Sequence, residues 1–79
     1  MAYKIKQDIS IGKNLKKYRN EAKLSQEKVA VQLQIWEIDI SREIISLMEL
    51  GRYSIRVSVL LALAKLYKCS VADFFADLE

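Results

Sequence analysis

Apolar residues recur along most of this chain at intervals of three and four, the spacing of one face of an α-helix. From residue 11 they fall at Ile11, Leu15, Tyr18 and Ala22, with Ser10 placed to cap the start, and this predicts a first helix. Asn20 to Lys23 breaks the period. Ser25 then offers a side-chain oxygen to the first turn of a second helix that carries Val29, Ala30 and Leu33 inward. Beyond Leu33 two patterns overlap: Trp36 and Ile40 continue the helical stripe, while Trp36, Ile38 and Ile40 alternate with acidic residues as in a strand.

With no partner strand in view, the stripe Val29, Leu33, Trp36, Ile40 predicts a lengthened second helix ending near Asp39. Ser41 caps a third helix, Arg42 to Leu50, with Ile45 and Met48 inward and Gly51 as its left-handed stop. Residues 52–56 read as a loop. Val57, Leu60, Leu61, Ala64 and Tyr67 form the most regular stripe and predict a fourth helix over 57–67. Ser70 caps a short fifth, with Val71, Phe74, Phe75 and Leu78 apolar. The fold class is therefore all-α, a compact five-helix domain over residues 10–79, preceded by a basic arm over 1–9.

Length and composition narrow the function. Seventy-nine residues, 52% apolar and 29% charged, suit one small packed core. A chain of this size buries only about 60% of its unfolded surface, so a dimer or a staple is a common supplement. The single cysteine, Cys69, cannot form an internal disulfide, and the absence of histidine leaves neither a zinc cage nor the commonest general acid or base. Two glycines cannot build a phosphate loop. No enzyme, cofactor or metal is expected. The longest apolar run, Val59 to Ala64, is too short to span a bilayer, and a cytoplasmic location without membrane association is expected. The net charge of +3 is unevenly placed: residues 1–28 hold eight Lys/Arg against three acids, and the remainder holds five against seven. A surface that faces a polyanion should draw on the first third.

Two short helices in succession, the second opened by Ser-Arg and closed by Glu-x-Gly, describe a helix-turn-helix. The full set of spaced residues is Ile11-Gly12-x-x-Leu15-x-x-x-Arg19, Leu24-Ser25-Gln26-Glu27-x-Val29-Ala30-x-x-Leu33, Ile40-Ser41-Arg42-x-x-Ile45-Ser46-x-Met48-Glu49-x-Gly51, Leu60-Leu61-x-Leu63-Ala64-Lys65 and Ser70-Val71-x-x-Phe74-Phe75. In this order it resembles the Cro/CI (Xre-type) helix-turn-helix transcriptional regulators, which have the lambda-repressor-like DNA-binding domain. The segment between Leu33 and Ser41 is longer than the family's usual glycine-containing passage, although linkers of the Ile-Asp-Ile-Ser-Arg kind occur in one branch.

The resemblance implies double-stranded operator DNA as the partner, bound by a homodimer, with Ser41 to Leu50 as the recognition helix. It nominates Arg42, Glu43, Ser46 and Leu47 for base contacts. Arg42 has the fork that matches guanine, and Glu43 can accept from a cytosine amino group. Leu47 suits a thymine methyl or a protein neighbour, and Ile44 poses the same choice. Phosphate contacts fall to Ser25, Gln26, Ser41, Arg52, Tyr53 and Arg56, with Lys13, Lys4 and Lys6 as secondary candidates. Arg19 and Glu49 occupy positions of a structural ion pair. Tyr67, Phe74, Phe75 and Leu78 are the expected dimer interface, and Cys69 takes the place of a small buried aliphatic residue. Two alternatives stand beside a repressor: an antitoxin-type autoregulator, and a protein-interaction module whose docking surface is Ile44, Leu47 and Trp36.

Overall fold

A computed structural model describes residues 4–5 and 9–78. Its elements in chain order are strand β1 (Lys4–Ile5), helices α1 (Gly12–Glu21), α2 (Gln26–Ile35) and α3 (Arg42–Glu49), strand β2 (Ile55–Arg56), helix α4 (Val57–Tyr67) and a 3-10 helix (Val71–Phe75). The domain is all-α apart from a two-stranded antiparallel ribbon that joins β1 to β2, in the register Lys4 to Arg56 and Ile5 to Ile55. Part of the expected arm is thus a strand, and β2 lies within the expected loop. Lys6 lies outside the described residues. No helix among the described residues is long and apolar enough to cross a membrane.

The core follows from the apolar stripes. Ile11 and Leu15 of the first helical segment, Val29 and Leu33 of α2, Ile45 and Met48 of α3, and Val59, Leu60 and Leu63 of α4 are all buried in one cluster with Ile40, Ile55 and Phe74. α3 packs against both α1 and α2, and this fixes its outward face. Serine caps mark three starts. Ser25 Oγ accepts the Lys28 N–H, Ser41 Oγ accepts the Ile44 N–H, and Ser70 and Asp73 exchange side-chain-to-backbone bonds as a capping box. Ser10 differs from its predicted role: it stands one residue before the N-cap, Ile11, and its Oγ accepts the Gly12 N–H at 3.0 Å.

The second helix is not lengthened. It stops at Ile35, Trp36 is its C-cap, and Glu37 takes a left-handed φ of 61°. The Glu37 N–H then donates to the Gln34 carbonyl and the Ile38 N–H to the Leu33 carbonyl, the paired bonds of a Schellman turn. From there the chain carries a half-buried Ile38 and a buried Ile40 toward the core, so alternation is the truer signal over 36–40. α1 and α3 close in the same way, through Leu24 N–H to Arg19 O and Arg52 N–H to Leu47 O. The left-handed residue is Lys23 after α1 and Gly51 after α3.

The C-terminal segment also departs from expectation. It is a single 3-10 helix, and its anchor is Phe74, which is fully buried. Phe74 meets Tyr18 and Tyr67 edge-on, with ring centroids 6.1 and 6.3 Å away. Asn14 Nδ2 donates to the carbonyls of Phe74 and Ala76 at 2.9 and 2.8 Å, tying this segment to α1. Tyr67 and Phe74 therefore do not line an open dimer face, because the subunit's own core consumes both rings. Phe75 remains 40% exposed, and Leu78 is half-buried against the core. Cys69 is half-buried too, and burial, with Asp73 and Glu21 nearby, raises its thiol pKa.

Candidate nucleic-acid interface

The outward face of α3 is set by what its inward face must bury. With Ile45 and Met48 in the core, Arg42, Glu43 and Leu47 point to solvent and Ser46 lies at the edge. Arg42 and Glu43 are widely exposed, and the guanidinium of one lies 3.4 Å from the carboxylate of the other. An exposed pair of this kind is worth little, so either group is released cheaply to another partner. Leu47 is 38% exposed on the same face. Ile44 is half-buried and packs against the core, so of these two apolar residues Leu47 alone stands outward. Trp36 lies at the end of α2, where the Lys65 ammonium sits over its ring at 5.4 Å from the centroid.

The position of α3 is held by one polar network. Arg19 Nε donates to Glu49 Oε2 at 2.6 Å, a second guanidinium nitrogen donates to Oε1 at 3.1 Å, and the third reaches the Leu24 carbonyl at 2.8 Å. Gln26 Nε2 adds a bond to Glu49 Oε1 at 3.0 Å. The two charged side chains are 10% and 5% exposed. The hydrogen bond to Glu49 raises the Arg19 pKa against the opposing effect of burial, and burial pushes the neighbouring Tyr67 phenol upward. One carboxylate at the end of α3 is thus held by α1 and by the first turn of α2.

This network changes the picture of Gln26. One of its two amide hydrogens is committed to Glu49, leaving the second, together with the backbone at the start of α2, for any other acceptor. Ser25 is exposed and Ser41 half-buried; each uses its oxygen as a cap acceptor and keeps a hydroxyl hydrogen to donate. After α3, Arg52 and Tyr53 are exposed and Arg56 is half-buried. Lys13 is exposed on α1. Together these residues place hydrogen-bond donors and cations on α1, at the starts of α2 and α3 and in the connection after α3, a chemistry that fits phosphate oxygens.

Two residues outside the sequence-based site govern its geometry. A Cβ on Gly12 would strike the backbone carbonyl oxygen of Glu49 and stand 2.6 Å from its carbon, so α1 and α3 touch backbone to backbone there. Gly51, at φ 75°, faces the Ser10 side chain in the same seam. Gly12 is visible in the motif, but its spacing does not show what it approaches. A helix-turn-helix family model matches residues 15–74. No curated protein and no solved structure matches the chain.

Proposed function

The chain belongs to the Cro/CI (Xre-type) helix-turn-helix family of DNA-binding regulators, and on that premise we propose that it is a sequence-specific transcriptional repressor that binds operator DNA as a homodimer. The observation that carries this reading is the exposed face of α3, where Arg42, Glu43 and Leu47 stand outward from a helix anchored at its other end by Arg19 and Gln26. In the proposed complex α3 enters the major groove, Arg42 and Glu43 meet base edges, Ser46 bonds at the rim, and Leu47 packs on a thymine methyl. Ser25, Gln26, Ser41, Arg52, Tyr53 and Arg56 hold the backbone. Repression follows from occupancy of the operator in the cytoplasm.

An eight-residue helix reads only a few base pairs, and a second copy doubles the site. Phe75, exposed beside the C-terminal anchor, is the proposed centre of the dimer contact, with Leu78 at its edge. The domain organisation proposed is one DNA-binding unit over 10–79, extended by the N-terminal segment. Residue roles are separated by two variants assayed against the duplex that the wild type enriches from a random pool. Arg42→Ala should cost roughly 1–3 kcal/mol on that duplex and relax preference at one base position per half-site. Arg52→Ala should weaken binding about equally on every sequence and lower the salt slope by about one. Identical behaviour of the two variants would contradict the division between reading and holding.

A further inference from the structure

Helix α2 is apolar on both sides. Its inward face buries Val29, Ala30 and Leu33, while its outward face presents Val31 and Ile35, one turn apart and 54% and 67% exposed. The exposed residues of α1, by contrast, are Lys13, Lys16, Lys17, Asn20 and Glu21. A helix with apolar residues around its circumference is normally covered all round. The outward side of α2 borders a groove lined by Leu24, Lys28, Val31 and Leu66, which runs on past Leu24 and Leu66 to Glu21, Ala22 and Lys68. Trp36 follows Ile35 at the end of α2, and Lys65 of α4 lies over its ring, so the two helices share this surface. Two acids, Glu21 and Glu27, and two lysines, Lys28 and Lys68, border the apolar floor. All four are exposed, and none forms an ion pair among the described residues.

From this we infer that the α2–α4 face is a self-association surface, on which a second copy of the chain docks through the same face. The charges decide the occupant. Two acids and two lysines around an apolar floor leave no net charge for a nucleic acid or a peptide of one sign to match. The same face turned over by a two-fold axis brings both signs, so that acids and lysines meet across the axis. Val31 and Ile35 of the two copies then shield one another from water. This surface is additional to the proposed dimer contact at Phe75, which lies on the 3-10 helix, and it does not depend on the DNA-binding reading. A chain with both contacts assembles as a dimer of dimers.

The test is sedimentation equilibrium of the free protein from low micromolar to millimolar concentration. Trp36 is the only tryptophan, so its emission reports on the face directly. Phe75→Glu removes the proposed dimer contact and should still form dimers, with Trp36 emission moving to shorter wavelength and acrylamide quenching falling as concentration rises. Adding Ile35→Glu should weaken that association by about tenfold or more and leave the melting temperature near its parent's, because Ile35 lies on the surface. Two further proteins in the Phe75→Glu background probe the charges, one with Lys28→Glu and Lys68→Glu, the other with Glu21→Lys and Glu27→Lys. Each alone should stay monomeric, and an equimolar mixture should recover association, which a misfolded variant could not do. A Phe75→Glu protein that is monomeric throughout, with unchanged Trp36 emission, would overturn the inference and leave the face to a different protein or to solvent. A mixture that stays monomeric, or an Ile35→Glu protein that associates as tightly as its parent, would overturn it as well. The difference between wild type and Phe75→Glu reads the Phe75 contact separately.

Discussion

Gly12→Ala is expected to destabilise the domain by about 3 kcal/mol and to lower its melting temperature by roughly 12–24 °C. The added methyl would meet the Glu49 carbonyl and lie 3.1 Å from the Met48 carbonyl oxygen. Both obstacles are backbone atoms of α3, so no side-chain rotation relieves them, and the helices must separate. Overpacking ordinarily costs about 1–3 kcal/mol, and a rigid obstacle puts this site at the upper end. A small domain has about 5–15 kcal/mol in total, so the variant should fold but melt early. Thermal and urea unfolding of the two proteins measure the difference. A melting temperature within a few degrees of wild type would show that the seam between α1 and α3 is looser than its geometry requires. Because α3 must move, affinity for DNA should fall even at temperatures where the variant remains folded.

Arg19→Ala is expected to cost about 3–5 kcal/mol, the usual penalty for removing one partner of a buried ion pair. The loss has two parts. Among the described residues Glu49 would keep only its bond from Gln26, and the Leu24 carbonyl would lose the Arg19 donor. Replacing both charges by apolar residues, as in Arg19→Met with Glu49→Leu, should recover much of that stability, because the double variant leaves no buried charge unmatched. Recovery of stability should not bring recovery of affinity, since the bonds that orient the end of α3 against α1 and α2 are gone. Urea unfolding of the single and double variants, read beside duplex binding, separates the two effects. Equal destabilisation of the single and double variants would contradict the assignment of the cost to an unpaired charge.

The apolar periods suffice to locate α1, α3 and α4, because each helix presents one face to a single core. They mislead over residues 36–40, where Trp36, Ile38 and Ile40 fit a strand alternation while Trp36 and Ile40 also extend a helical stripe. The deciding feature is local: Glu37 adopts a left-handed conformation without being glycine, a choice invisible to composition. The C-terminal aromatics mislead for a different reason. Phe74, Phe75 and Leu78 look surplus to a short helix, yet Tyr18 and Tyr67 enclose Phe74 edge-on from the two neighbouring helices. The ribbon leaves no usable period, since its two strands have two residues each. At the candidate interface, the residue types around α3 are legible from spaced motif positions. The Arg19–Glu49 pair is legible from the same motif positions, whereas the bond that Gln26 adds to Glu49 depends on distances between helices far apart in sequence, which no local pattern encodes.

Selection of bound sequences from a random duplex pool tests the central claim most directly. Two copies of α3 related by a two-fold axis should enrich a palindrome whose half-sites lie about one helical turn apart. Binding to that sequence should weaken steeply as salt rises. A pool that shows no enrichment, together with an affinity that does not respond to salt, would contradict the assignment of this domain as an operator-binding repressor.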